Sequence, residues 1–96
     1  MIRYSISIVD DEESIRDGLE MFLSPDYDVS CFSDAESFLS FLEKKQPDLV
    51  LMDIGLPVMT GIDALKRIKT VHPNLPVIMI TAFEDIKMVI ASMKTG

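Results

Sequence analysis

The sequence predicts an α/β fold in which a parallel β-sheet carries helices on both faces. Strand-like and helix-like segments alternate strictly along the chain, and only a few residues connect one segment to the next. The polar residues that interrupt the strand pattern all follow the carboxyl ends of strands. With 96 residues the chain has room for one domain, which we assign to residues 1–96.

The first strand–helix pair occupies the first quarter of the chain. Residues 2–9 alternate apolar and polar side chains, which is typical of a half-buried strand. Residues 12–23 then form an amphipathic helix, and Asp11 is positioned to cap its first turn. The apolar face of this helix consists of Ile15, Leu19, Phe22 and Leu23.

A second strand and helix follow at residues 27–32 and 35–42. Ser33 and Glu36 have the spacing of a capping box, which predicts a helix start between them. Pro47 marks the break before the next strand.

The third strand is the continuous apolar run from Leu49 to Met52. Such a run predicts a strand that is buried on both faces, as in the centre of a parallel sheet. The run stops at Asp53, with Gly55 and Pro57 close behind. Because ligands of open α/β sheets bind outside the carboxyl ends of strands, Asp53 either starts a turn or belongs to a site.

The remaining segments complete a βαβαβαβα pattern. Apolar residues in 62–71 predict a third helix, and residues 76–81 form a strand that is apolar until Thr81. A fourth helical stripe covers residues 86–93.

Four polar residues follow the first, third and fourth strands, and they meet in one shallow pocket if those strands are neighbours. They are Asp10, Asp11, Asp53 and Thr81. Carboxylates about 4 Å apart repel by about 4 kcal/mol per pair at an effective dielectric near 20, so the cluster must hold a proton or bind a cation. Oxygen ligands without His or Cys favour Mg²⁺ or Mn²⁺. Such a pocket suits phosphoryl chemistry, in which an Asp carboxylate can be the nucleophile.

Three segments of the chain resemble the receiver domain of two-component response regulators. They read IVDDEESIRDGL, PDLVLMDIGLPVMTGIDALKRIK and LPVIMITAFED, and their order and spacing match over the whole chain. The resemblance implies a flavodoxin-like, doubly wound parallel sheet with strand order 2-1-3-4. It also implies that the chain holds four βα units of an expected five and is truncated at the C-terminus.

The resemblance assigns roles to the acidic residues. It implies that Asp53 accepts a phosphoryl group from a sensor histidine kinase. Asp11 would be a direct Mg²⁺ ligand, and Asp10 would bind the ion through water or orient the site. Asp53 itself and the backbone carbonyl of Gly55 would be further metal ligands.

The resemblance also predicts how the signal leaves the site. Thr81 would be the switch hydroxyl that moves toward the phosphoryl group, and Ala82 the small residue that leaves room for it. The fourth helix would then contact an output domain or a downstream protein. The segments GIDALKRIK and PVIMITAFED are similar in sequence to receivers that are fused to transcriptional activators.

The family's fifth strand carries a Lys that pairs with the phosphoryl group, and this chain stops before it. The alternative function is therefore a truncated receiver with impaired switching, which serves as an oligomerisation or docking module. The uncharged fourth strand would lie at the sheet edge, and we expect a dimer to form through it.

Other classes of protein fit less well. A haloacid-dehalogenase-like enzyme needs a second Asp where Gly55 stands. A flavodoxin-like cofactor binder needs a Ser/Thr/Gly-rich phosphate loop after the first strand, where the acidic residues 10–13 would repel a phosphate. The net charge of −7 argues against direct nucleic-acid contact by this segment. The chain has no membrane-length apolar stretch, so we expect a cytoplasmic regulatory domain that promotes only its own phosphorylation and dephosphorylation.

Overall fold

The computed structural model describes residues 3–80, in which strands and helices alternate as the sequence predicts. The elements are β1 (Ser5–Val9), α1 (Glu13–Leu23), β2 (Asp28–Phe32), α2 (Ala35–Leu42), β3 (Leu49–Asp53), α3 (Gly61–Val71) and β4 (Val77–Ile80). These bounds differ from the predicted segments only at their ends. Thr81, Ala82 and the helical stripe at 86–93 lie outside the described residues.

The four strands form one parallel sheet in the order β2-β1-β3-β4. The predicted flavodoxin-like fold and its strand order are therefore confirmed. From β1 the chain crosses to β2 on one side and then returns to β3 on the other, so β1 and β3 flank the point where the winding reverses. Val9 pairs with Met52, which places the residues that follow β1 directly beside the end of β3. A ligand crevice is expected at this position.

The hydrophobic core lies between the sheet and helices α2 and α3. Phe38 of α2 is fully buried at its centre, and its ring meets the Phe32 ring edge-on with 5.4 Å between centroids. The buried members of this core are Val9, Ala35, Phe38, Leu42, Val50, Met52, Leu56, Ala64, Ile68 and Leu75.

The opposite face of the sheet is less well covered. Among residues 3–80 only α1 packs on it, and none of the residues of α1 is buried. A helix is about 10–12 Å wide and strands are about 4.8 Å apart, so one helix covers about two strands of the four. Leu49 and Leu51 are therefore only partly buried, and Ile78 is 53% exposed. The prediction that the third strand is buried on both faces is wrong for this face.

Two open grooves border α1 on this face, and both are mainly apolar. One has a volume of about 570 Å³ and lies over the amino-terminal half of the sheet. The other has a volume of about 470 Å³ and lies between α1 and the end of β4. Leu51 lines both grooves, so they form one continuous apolar surface.

The helix starts differ in detail from the sequence prediction. Helix α1 begins after Glu12, whose side chain makes no capping hydrogen bond, so the predicted cap by Asp11 is wrong. Helix α2 is capped by Asp34, which accepts a hydrogen bond from the Ser37 N–H at 2.7 Å, and not by the predicted Ser33–Glu36 box. The longest helices in residues 3–80 have 11 residues, and none of them is both long and apolar enough to cross a membrane.

Candidate functional site

Three carboxylate side chains lie together at the carboxyl ends of β1 and β3. Asp10 and Asp11 directly follow β1, and Asp53 is the last residue of β3. One oxygen from each carboxylate lies within 4.8 Å of those of the other two. Asp10 is buried, Asp53 is half-buried and Asp11 is exposed, so the cluster opens to solvent on one side. The structure thus brings together the three acidic residues that the sequence places at strand ends.

Asp10 is held by backbone hydrogen bonds at both ends of the residue. Its N–H donates to the Phe32 carbonyl at 3.0 Å, and its Oδ1 accepts the Glu12 N–H at 2.9 Å. The Arg16 guanidinium donates to the Asp10 carbonyl oxygen at 2.8 Å. Because these contacts use Oδ1 and the main chain, the second carboxylate oxygen remains available to a ligand.

The carboxyl group of Asp53 holds its proton more tightly than an ordinary Asp. Burial raises its pKa to about 6, and the Gly55 N–H, which donates to Oδ1 at 3.1 Å, acts in the opposite direction. The negative charges of Asp10 and Asp11 and a hydrogen bond with the Asp11 side chain are smaller causes of the same rise to about 6. A carboxyl group whose pKa is strongly raised by burial and by specific neighbouring charges, at a ligand crevice, indicates a functional site.

The loop after Asp53 folds back on the end of β3. The Gly61 N–H, at the start of α3, donates to the Ile54 carbonyl at 3.0 Å. Gly55, at the exposed side of the loop, is the residue whose carbonyl would be a metal ligand according to the family resemblance. The loop therefore keeps both Gly55 and the first turn of α3 close to Asp53.

The donor set of this cluster fits a divalent cation with oxygen ligands. All three groups are carboxylates, and a positive ion between them would relieve the repulsion that helps to raise the pKa of Asp53. Mg²⁺ and Mn²⁺ prefer such ligands and commonly take only one or two carboxylates from a protein. The residues present therefore match the ion that the sequence predicts.

Two further residues contribute to the site without being found by sequence reasoning. Arg16 has the ordinary spacing of a polar residue on an amphipathic helix, and nothing in its pattern indicates the contact with the Asp10 carbonyl. Gly61 follows Thr60 at the start of a helical stripe, and nothing in that pattern indicates that it packs directly against the Asp53 main chain, as it does in the structure.

Comparison with known proteins decides the family. The sequence pattern of the response regulator receiver domain matches residues 6–96. The chain belongs to the response regulator receiver domain family. Such domains are regulatory phosphoacceptor modules of two-component systems, and as a family they interact with histidine kinases and output domains.

Individual relatives support this assignment. The receiver domain is 33% identical over 97 residues to the transcriptional regulatory protein FixJ of Rhizobium meliloti, with 100% of this chain and 48% of that protein covered. It is 37% identical over 97 residues to sporulation initiation phosphotransferase F of Bacillus subtilis, covering 100% of this chain and 78% of the relative. A receiver domain protein from Clostridium thermocellum superposes with a TM-score of 0.84 at 29% identity, over 97% of this chain and 76% of the other.

The relatives differ in how much of their length the receiver domain represents. This chain spans about half of FixJ, so the activity and partners of that whole protein do not transfer to it as findings.

Proposed function

We propose that this receiver domain accepts a phosphoryl group on Asp53 from a sensor histidine kinase, in a magnesium-dependent reaction that switches an output domain or partner protein. The observation that carries the proposal is the cluster of Asp10, Asp11 and Asp53, whose carboxylate oxygens lie within 4.8 Å of one another. Membership of the receiver family supports it independently.

Asp53 is the nucleophile in this proposal. One of its carboxylate oxygens attacks the phosphorus of a phosphohistidine, a new O–P bond forms, and the P–N bond breaks so that the imidazole leaves with the bonding pair. The Gly55 N–H engages Oδ1 of Asp53, which leaves Oδ2 as the attacking oxygen. With a pKa of about 6, Asp53 is mainly ionised at neutral pH but more basic than an ordinary carboxylate.

The neighbouring residues would hold the ion. Asp11 and Asp53 would be direct ligands, Asp10 would bind through water or orient the site, and the Gly55 carbonyl would supply a further oxygen. The ion supplies positive charge that offsets the negative charge of the phosphoryl oxygens. The backbone contacts of Asp10 keep its carboxylate pointed at this position while the site changes charge.

The later steps of the switch fall on residues outside 3–80. We assign Thr81 as the hydroxyl that moves to the phosphoryl group, Ala82 as the small residue that admits it, and the predicted helical stripe at 86–93 as the surface that meets the output. The domain is a cytoplasmic regulator in this proposal. It is not an enzyme acting on other molecules, and with a net charge of −7 it makes no direct contact with nucleic acid.

Acetyl phosphate with Mg²⁺ is expected to add one phosphoryl group to the wild-type chain and none to Asp53→Asn, as read by intact mass. Asp17→Asn is a matched control, because Asp17 is an exposed carboxylate on α1, outside the cluster. Labelling of Asp53→Asn at the wild-type rate would refute the assignment of Asp53. An unlabelled but folded wild type would refute the phosphoacceptor function and favour the docking-module alternative.

The edge of the sheet at β4 supports a second candidate, in which this chain docks to a second copy. Among the strands of residues 3–80, β4 is an edge strand, and Ile78 on it is 53% exposed.

We expect dimers through β4 at micromolar concentration, measured by light scattering after gel filtration. Ile78→Lys should shift the chain to monomers because charge on an edge strand opposes pairing. Val71→Lys, at a 71% exposed position on α3, should leave the dimer intact. A wild-type monomer would refute this candidate.

A further inference from the structure

The start of α3 is pressed against the backbone of Asp53 so closely that only glycine fits there. A Cβ at Gly61 would overlap the Asp53 carbonyl oxygen, and it would lie 2.8 Å from the Asp53 carbonyl carbon and 2.9 Å from Cα of Ile54. These are backbone atoms, which cannot move aside as the end of a flexible side chain can. The Gly61 N–H also donates to the Ile54 carbonyl at 3.0 Å, so a hydrogen bond holds Gly61 in this close contact.

The same loop holds a valine in an unfavourable backbone conformation. Val58 has a φ of 64°, in the left-handed region that is rarely adopted by β-branched residues. Its side chain is 94% exposed, so no packing of the isopropyl group offsets the strain. Strain of this kind persists only where the surrounding structure imposes it.

Both ends of the loop are fixed, which accounts for the strain. Ile54 and Leu56 are 1% and 3% exposed, so the first part of the loop is anchored in the protein interior. At the other end Gly61 is held against Asp53 and Ile54. Few residues remain between Leu56 and Gly61 to reverse the chain, and the left-handed turn at Val58 closes that gap.

We infer that residues 54–61 form a closed clamp that fixes the Asp53 main chain, with Gly61 and Val58 as its positioning residues. Ile54, the residue that follows Asp53, is held by hydrogen bonds on both sides: its N–H donates to the Ile80 carbonyl at 3.0 Å, and its carbonyl accepts from the Gly61 N–H. A reacting group displaced by about 1 Å can lose about 100-fold in rate, so fixing this peptide matters for the carboxylate it carries. For phosphorylation the inference rests on the proposed function, whereas for metal binding and stability it does not.

Gly61→Ala tests the clamp directly. We expect it to lower the rate of acetyl-phosphate labelling at least tenfold and to weaken Mg²⁺ binding, measured by NMR titration without any phosphodonor. Gly18→Ala is the matched control, because a Cβ at Gly18 on α1 meets no heavy atom within 4 Å. That variant should bind Mg²⁺ and accept phosphate as the wild type does.

A second control separates positioning from a general loss of stability. Asp34→Ala removes the hydrogen bond that caps α2, far along the chain from the clamp, and should lower Tm while leaving Mg²⁺ affinity unchanged. If a folded Gly61→Ala loses no more Mg²⁺ affinity and labelling than Asp34→Ala does, the clamp is refuted. If Gly61→Ala does not fold, Val58→Pro takes its place, since proline fixes φ near −65° and prevents closure.

Val58→Asn tests whether the backbone of Val58 is strained, and this substitution is expected to stabilise the domain. Asparagine tolerates the left-handed region, so the variant should raise Tm by about 4–8 °C and leave labelling and Mg²⁺ affinity unchanged. A lower Tm for Val58→Asn would overturn the inference. A wild type that binds Mg²⁺ but is never labelled would refute only the phosphoacceptor function, because the Mg²⁺ and Tm measurements still test the clamp.

Discussion

Replacing Phe38 with alanine is expected to destabilise the domain by about 3–5 kcal/mol. Phe38 is fully buried in the core between α2, α3 and the sheet, and its ring packs edge-on against Phe32. The substitution removes the transfer free energy of the ring and leaves a cavity that two helices and a sheet cannot fill by relaxing. The total free energy of unfolding of a small domain is about 5–15 kcal/mol, so this substitution removes a large part of it.

Urea denaturation at 25 °C measures this loss as a shift of the midpoint at constant slope. Phe22→Ala is the matched control, because it is the same chemical change at a position on α1 that is 78% exposed. It should alter the free energy of unfolding by no more than about 0.5 kcal/mol. Equal losses at the two positions would contradict the asymmetric core, in which the α2–α3 side of the sheet is packed and the α1 side is open.

The sequence predicts the sheet and the acidic cluster well because both depend on short-range patterns. Apolar runs such as residues 49–52 and helical stripes such as 62–71 specify their own secondary structure, and strict alternation of the two leaves a parallel sheet as the outcome. Carboxyl ends of parallel strands lie at one edge of the sheet, so Asp10 and Asp53 meet once β1 and β3 are neighbours. The strand order itself came from resemblance to a family.

Other features depend on long-range contacts that no local pattern encodes. The apolar residues of β3 look the same on both faces, yet Val50 is fully buried and Leu51 is not, because only one helix lies over Leu51 in the described structure. Gly61 reads as an ordinary turn glycine, and its contact with Asp53 appears only when the loop closes in three dimensions. The capping errors at Asp11 and Ser33 have a different cause, since several neighbouring polar residues compete for one helix start.

Magnesium is expected to stabilise the wild-type domain strongly at pH 8 and weakly at pH 5. A ligand at 100 times its Kd adds about 2.7 kcal/mol to the free energy of unfolding, provided that it binds only the folded state. At pH 8 the Asp53 carboxylate is ionised and available to the ion. At pH 5 a proton occupies Asp53, whose pKa is about 6, and competes with the metal.

Without the ion the pH dependence has the opposite sign. Because burial raises the pKa of Asp53 above the ordinary 3.8, the folded state binds this proton more tightly than the unfolded state. The resulting stability is fully present below about pH 4 and is lost as the pH rises through about 6. Asp53 is only half-buried, so after solvent screening this loss amounts to about 1 kcal/mol.

Thermal unfolding at pH 5 and pH 8, with and without saturating Mg²⁺, measures both effects in one set of samples. Asp11→Asn should abolish most of the Mg²⁺ shift while making the metal-free domain more stable at pH 8, because it removes one charge that repels Asp53. Asp17→Asn, an exposed carboxylate outside the cluster, should reproduce the wild-type shifts. The same Mg²⁺ shift at both pH values, or an undiminished shift in Asp11→Asn, would place the ion elsewhere. The negative charge that destabilises the metal-free cluster is the same charge that binds the ion. As the pH rises, the metal-free domain must therefore become less stable while its affinity for Mg²⁺ increases.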